Sequence, residues 1–259
     1  MTELLTLATQ LSGLGQDVLW VGFLVFLRVG AAMALMPAFG EQAVPQRVKL
    51  VLALAFTAVV APAVSADLVA ITPGAATPLI TEVIAGLIIG AGLRFFIIAL
   101  QIAGTIIAQA TTLSQLFAGT GPEPQPAIAN LLVMAGLALA VMAGLHLHVA
   151  ELLILSYEPL PAGQFPGAAD TADWGLFQIA RAFSLAFALA APFVAASLIY
   201  NVAIGVINRA MPTLMVSFVG APALALGGLL LLAVVTPLAL AVWIRAVDAY
   251  VAAPFEVAP

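Results

Sequence analysis

Few side chains of this sequence are of the types that carry out chemistry, and their spacing argues against an enzyme. His146 and His148 are two residues apart, whereas histidine pairs that bind zinc from one helix are spaced by three or four. The sequence contains no cysteine, which excludes disulfides, thiolate metal sites and a cysteine nucleophile. It also lacks a GxSxG serine motif and a GxxxxGKS/T phosphate-binding loop. We therefore predict a protein that is not an enzyme and that has no catalytic residues, metal or cofactor.

Charged side chains inside apolar runs are the stronger indication of function. Arg28 and Arg94 both lie in such runs, and an arginine at the centre of a membrane helix costs at least about 2.5–3.5 kcal/mol on insertion scales. Each arginine therefore needs an acid, carbonyl groups or water nearby. For Arg28 two interpretations remain open: pairing in a polar lumen or with another subunit, or snorkelling of the side chain to the membrane interface. We place Arg209 with them, as a buried charge that contacts another helix or subunit.

A polar stripe in the middle of the chain is the most unusual pattern. Its residues are spaced by seven, four, four and three positions, which puts them on one narrow face of a helix. They are Arg94, Gln101, Thr105, Gln109 and Thr112. A helix cannot continue through the following Gly/Pro-rich segment 118–126, because its three prolines lack the N–H group and clash with the preceding turn. The stripe indicates either backbone held against a polar lumen, or a polar helix–helix seam followed by an exposed loop.

The elements that position these residues are predicted to be membrane helices. The chain is 64% hydrophobic and 7% charged, whereas soluble domains are about 45–50% apolar and about 25% charged. The apolar runs are continuous and do not alternate as in a β-barrel, and no Lys/Arg cluster is present for nucleic acid. We predict an all-α integral membrane protein with one domain over residues 1–259. The amino terminus lacks a basic region and a cleavage site, so we expect it to be retained.

The hydropathy pattern predicts about six long helices. The predicted spans are approximately Val18–Met36, Leu50–Ala63, Leu79–Ala108, Ala127–Leu155, Phe177–Ile207 and Leu214–Val247. We expect a kink at Pro192 and interruptions of the last run at Pro222 and Pro237. Basic residues occur in the first and fifth connections, whereas the second and fourth carry only acids, which predicts that both termini lie outside the cytoplasm. Gly86 and Gly90 form a GxxxG pair, but in an Ala-rich chain such a pair also arises by chance.

Four stretches, taken in order along the chain, resemble the family of flagellar biosynthetic protein FliR. They are Phe26–Pro62, Ala103–Ser114, His146–Gly163 and Asn201–Leu226. The most specific pieces are Arg28…Pro37…Val44-Pro45…Arg47-Val48, then Leu160-Pro161-x-Gly163, and then Ala203-x-Gly205-x-x-Asn208-Arg209-x-x-Pro212. The resemblance extends over nearly the whole chain.

The resemblance implies a non-enzymatic subunit of the flagellar type III protein export gate. Proteins of this family form a channel with FliP and FliQ, next to FlhB and FlhA, through which unfolded flagellar proteins leave the cytoplasm. The implied location is the bacterial inner membrane at the flagellar basal body. The implied fold is a set of kinked helical hairpins, in which some apolar segments are buried against partner subunits instead of lipid.

The resemblance also implies a re-entrant, plug-like segment near the middle of the chain, matching Gly104–Pro126. The implied plug and channel-lining residues are Gln101, Thr105, Gln109, Thr112, Ser114, Gln115, Leu116, Phe117, Gly119 and Gly121. The sequence departs from the family here, because a family glutamate is Thr105 and the usual Gln-Met-Gly is residues 110–112. The alternative function is a secondary transporter for small solutes, which would show inverted-repeat halves and a mid-span binding site. The acids near spans instead lie at or near span ends, as Asp17, Glu82 and Glu151 do.

Overall fold

The computed structural model of the chain describes residues 2–41, 44–68, 71, 74–111, 127–211 and 216–256. Within these ranges the chain forms seven α-helices and no β-strand. The helices are α1 (Thr2–Leu35), α2 (Gln46–Leu68), α3 (Ala76–Ala110), α4 (Ala127–Met142), α5 (Leu145–Leu155), α6 (Ala168–Ala210) and α7 (Val216–Ala252). Helices are the expected outcome for so apolar a chain, since they satisfy every backbone hydrogen bond within one segment. The predicted all-α membrane fold is confirmed.

Five of the helices are long and apolar enough to cross a membrane, and α4 with α5 counts as a sixth span if the pair is taken together. The sequence predicted one continuous helix over Ala127–Leu155. Instead, the chain bends by 73° between α4 and α5. The bend occurs at Gly144, whose φ of 83° lies in the left-handed region that favours glycine. The predicted fourth span is therefore two helices joined at a bend, and not one continuous helix.

Beyond the first turn, the described helices contain four prolines: Pro62 in α2, Pro192 in α6, and Pro222 and Pro237 in α7. The predicted interruption of the last run at Pro222 and Pro237 is wrong, since α7 continues from Val216 to Ala252 through both of them. Helices of membrane proteins tolerate proline because neighbouring groups satisfy the carbonyls that it leaves free.

The chain divides into two compact units, which are Met1–Arg94 with Gly144–Leu176 and Val251–Pro259, and Phe95–Ala143 with Phe177–Tyr250. The first unit contains a close approach between α1 and α3. A Cβ atom at Gly86 would lie 2.2 Å from the carbonyl oxygen of Arg28, and one at Gly90 would lie 2.4 Å from that of Ala32. Only glycine permits this approach, so the GxxxG pair is a packing contact within the chain.

The second unit is built around an apolar cluster from four helices. The cluster consists of Ile107, Ala108, Ile128, Leu132, Ala190, Phe193 and Ala225. Gly104 of α3 lies directly against α4, because a Cβ atom there would be 2.3 Å from the Cα atom of Ala129. Trp243 of α7 is buried and donates its indole N–H to the carbonyl oxygen of Phe96 at 2.9 Å. The prediction that both units act as one domain stays a prediction.

Candidate functional site

The centre of the first unit contains a buried ion pair. Arg28 of α1 is 1% exposed and Glu82 of α3 is fully buried. The guanidinium donates from Nε to Oε2 and from Nη2 to Oε1 of Glu82, both at 2.8 Å. This bidentate geometry is the strongest form of arginine–carboxylate pairing. The need of Arg28 for an acidic partner is thus met within its own chain.

The connection after α5 supplies two further hydrogen-bond acceptors to Arg28. Its Nη1 donates to the hydroxyl oxygen of Ser156 at 3.0 Å, and its Nη2 donates to the carbonyl oxygen of Leu160 at 2.7 Å. Ser156 donates its own hydroxyl hydrogen to the carbonyl oxygen of Leu153 at 2.7 Å. The snorkelling interpretation of Arg28 is therefore wrong, because its donors point into the protein and are used there.

Tyr157 covers the ion pair. Its ring centroid lies 3.5 Å from Cζ of Arg28, and its hydroxyl donates to Oε2 of Glu82 at 2.9 Å. The contact combines a cation–π interaction with a charge-assisted hydrogen bond. Burial raises the pKa of Tyr157, and the positive charge of Arg28 opposes that rise only in part. The hydroxyl therefore stays protonated and remains a donor. We refer to Arg28, Glu82, Ser156, Tyr157 and Leu160 as the Arg28 cluster.

A second contact holds the same connection against α3. Gly163 donates its backbone N–H to the hydroxyl oxygen of Thr81 at 3.1 Å, and Thr81 donates to the carbonyl oxygen of Pro78 at 3.1 Å. Gly163 has a φ of 77°, which other residues adopt only under strain. The Leu160-Pro161-x-Gly163 motif thus supplies one carbonyl to Arg28 and one amide to α3.

The cluster predicts the effect of replacing Tyr157 by phenylalanine. The ring over Arg28 is kept, but Glu82 loses a hydrogen bond to a charged group, so we expect a loss of about 1.5–3 kcal/mol in the free energy of unfolding. The raised pKa of Tyr157 also means that the hydroxyl's contribution is fully present below its ordinary value of 10.0 and declines as the pH rises above it. Unfolding in detergent as a function of pH measures both effects. Equal alkaline slopes for the two proteins would contradict this role of the hydroxyl.

Arg94 and Arg209 differ from Arg28 in burial. Arg94 donates from Nη1 to Oε1 of Glu41 at 2.7 Å, with the two side chains 32% and 27% exposed. So exposed a pair contributes little to stability, about 0–1 kcal/mol. Arg209 is exposed, so its prediction as a buried charge is wrong for the single chain. It lies in the last turn of α6, where the helix dipole favours a cation, and its contact with another subunit stays a prediction.

The predicted polar stripe lies on α3 as far as the helix is described. Gln101 and Thr105 are half-buried and Gln109 is exposed. Thr105 donates its hydroxyl hydrogen to the carbonyl oxygen of Gln101 at 2.9 Å, within its own helix. The other predicted plug and channel residues lie outside the described residues. They are Thr112, Ser114, Gln115, Leu116, Phe117, Gly119 and Gly121.

Sequence reasoning missed three members of the Arg28 cluster. The sequence pattern indicates Glu82 only as an acid near a span end and does not single out Ser156 or Tyr157, although all three contact Arg28. The signal that could have found Glu82 was the requirement of a buried arginine for an acid in a neighbouring apolar run. Among the described residues no group of three or more His, Cys, Asp or Glu side chains is placed to hold a metal ion.

Comparison with known proteins identifies the family. The family model described as bacterial export proteins, family 1, matches residues 19–250. Flagellar biosynthetic protein FliR of Caulobacter vibrioides is 38% identical over 221 residues, which cover 83% of this chain and 87% of the relative. The proteins of the same name from Escherichia coli and Pectobacterium carotovorum are 31% and 29% identical over 226 and 228 residues. These alignments cover 83% and 85% of this chain, and 84% and 86% of those relatives. The chain therefore belongs to bacterial export proteins family 1, the family of flagellar biosynthetic protein FliR, and is a membrane component of flagellar protein export.

Proposed function

We propose that this chain is a non-enzymatic subunit of the flagellar type III export gate, and that it forms the channel for unfolded flagellar proteins together with FliP-like and FliQ-like subunits. The observation that carries the proposal is the family match over residues 19–250. In this proposal the gate lies in the inner membrane at the flagellar basal body, next to FlhB-like and FlhA-like proteins.

The length of the helices supports assembly with other subunits. The 43 residues of α6 extend about 65 Å at 1.5 Å per residue, whereas the hydrocarbon core of a bilayer is about 30 Å thick. Large apolar side chains are nevertheless exposed near both ends of the helix, from Leu176 to Ile207. Lipid alone does not cover such a length unless the helix tilts strongly, so other subunits are the fitting cover for the remainder.

The polar face of α3 supports a closing role for the segment that follows it. Gln101, Thr105 and Gln109 lead along one face towards residue 112, and irregular backbone at membrane depth must be buried in protein or border water. We propose that residues 112–121 obstruct the channel at rest and move aside for an unfolded substrate.

The overall proposal is tested by deleting the gene and by purifying the tagged chain from the native membrane. We expect loss of motility and of hook and filament secretion, with restoration by the intact gene. We also expect FliP-like and FliQ-like chains to co-purify. Purification as a monomer or small homo-oligomer, with secretion unaffected in the deletion strain, would instead favour the small-solute transporter.

The closing role predicts that deletion of Leu116–Gly121 makes the assembled gate leak ions and small solutes. Ion flux through purified gates in lipid vesicles is the measurement. A gate in which the same six residues are replaced by a glycine–serine segment of equal length separates the effect of segment length from that of the side chains. An ion flux equal to that of the intact gate, in both variants, would overturn the closing role.

A further inference from the structure

One face of α6 is packed within the second unit along the first part of the helix. Five of its buried residues are spaced by four, three, four and four positions, which is the spacing of one helical face. They are Ala182, Ala186, Leu189, Phe193 and Ser197. This face is continuous with the residues that follow Ser197, since α6 runs to Ala210 without a break.

The packed face of α6 is no longer covered by the described part of the chain shortly after Ser197. Tyr200 and Ile204 are half-buried, and the hydroxyl of Tyr200 donates to the carbonyl oxygen of Gly220. From Gly205 to Met211 every residue is exposed. Asn201 lies four positions after Ser197, and thus continues the packed face beyond the point where the described part of the chain covers it.

Asn208 lies seven positions after Asn201, on the same face. Both side chains are exposed. Asn201 donates one amide hydrogen to the hydroxyl oxygen of Ser197 at 3.2 Å, and its carbonyl oxygen accepts no hydrogen bond from the residues that the structure describes. Asn208 makes no side-chain hydrogen bond to the residues that the structure describes. Both exposed carboxamides thus keep donors and acceptors that the described part of the chain does not use.

Neither lipid nor water suits this part of α6. An amide left without a partner in hydrocarbon is unfavourable, which argues against lipid over Asn201 and Asn208. Val202 and Val206 lie in the same turns of α6, on the other faces of the helix, and are 60% and 63% exposed, so the segment is too apolar to be stable in water. A carboxamide is both donor and acceptor, so its complementary partner is another carboxamide or a hydroxyl. The remaining environment is another protein helix that carries such groups.

The spacing of the two asparagines favours a helix as the partner. A seven-residue repeat keeps one face against a second helix, and a polar residue in that seam sets the register between the two. Gly205 lies between the asparagines, and a Cβ atom there would meet nothing within 4 Å. The surface around it therefore has room for the side chains of an approaching helix.

We propose that Asn201 and Asn208 dock a helix of another export-gate subunit, which carries carboxamide or hydroxyl side chains seven residues apart, through hydrogen bonds across the seam. The inference rests on the proposed function, because it takes the partner to be a subunit of the same gate. It assigns the uncovered end of α6 as an assembly surface and the two asparagines as its specificity determinants.

The first test replaces the asparagines by leucine, singly and together, in the chain purified with its gate. Hydrogen bonds between membrane helices shift an equilibrium by roughly threefold each, so the subunits recovered per chain should fall by roughly threefold for one substitution and roughly tenfold for both. Val206→Leu, on the opposite side of the helix, is the matched control and should assemble normally. Asn201→Gln and Asn208→Gln keep the amide and should recover part of the loss. Thermal unfolding of the isolated variants checks that the chain itself is intact.

The second test locates what covers the seam. Photo-crosslinking residues at positions 201 and 208 should link this chain to one other gate subunit. Normal assembly of the double leucine variant would overturn the inference, as would crosslinks mainly to lipid, to exported substrate or to a second copy of this chain. A failure of the proposed function is distinguishable, because the unaltered chain would then recover no other subunit at all.

Discussion

Replacing Glu82 by alanine should remove about 3–5 kcal/mol from the free energy of unfolding of this chain. The substitution leaves the Arg28 guanidinium buried without the carboxylate that accepts two of its hydrogen bonds at 2.8 Å. It also removes the acceptor of the Tyr157 hydroxyl. Because the natural free energy of unfolding of a domain is about 5–15 kcal/mol, a loss of this size should also lower the amount of chain in the membrane and the export that depends on it.

The matching double variant separates the charge from the packing. Arg28→Met with Glu82→Leu removes both charges and keeps side chains of similar size, so we expect it to be more stable than Glu82→Ala alone. Some loss should remain, because Leu160 and Ser156 each lose a hydrogen-bond partner. Denaturant unfolding in detergent is measured for Arg28→Met, for Glu82→Leu and for the double variant. The difference between the double effect and the sum of the two single effects is the coupling energy of the pair. Strictly additive effects would show that the Arg28–Glu82 pair is not a unit.

Gly86→Ala should destabilise the first unit by about 1–3 kcal/mol or more. The added Cβ would be 2.2 Å from the carbonyl oxygen of Arg28 and 2.9 Å from the Cβ of Ala31. The first of these is a backbone atom, so α1 must move away from α3, and the movement also lengthens the bonds between Arg28 and Glu82.

Gly30→Ala is the control for this prediction. Gly30 lies in α1, and a Cβ atom there would meet nothing within 4 Å. Removing a glycine from a helix interior favours the helix by roughly 0.5–1 kcal/mol. The two substitutions should therefore change the unfolding temperature in opposite directions in detergent. Equal effects would mean that the close approach of α1 and α3 does not depend on glycine.

The helical membrane fold could be predicted because it depends on the average hydropathy and charge of long segments. Continuous apolar runs with few charges leave helices as the only fitting structure, whatever the contacts between them. The bend after α4 could not be predicted in the same way. Gly144 is one of 21 glycines, and its left-handed φ depends on local packing that hydropathy does not report.

The Arg28 cluster could be predicted only in part. The cost of a buried charge required a partner for Arg28, but the partner is 54 residues away in Glu82 and 132 residues away at Leu160. Contacts of this range depend on how the helices pack, which a single sequence does not specify. Gly86 and Gly90 illustrate the same limit, because their pattern is common by chance and only the distance to α1 distinguishes them.

The long separations within the Arg28 cluster affect how the chain enters the membrane during synthesis. Arg28 leaves the ribosome 54 residues before Glu82 and 128 residues before Ser156. The nascent α1 therefore meets the translocation machinery with an uncompensated cation, at an insertion cost of about 2.5–3.5 kcal/mol. The apolar residues of α1 have to offset that cost until α3 emerges. The free-energy cost of insertion is lower when α1 and α3 leave the translocon together as a neutral pair.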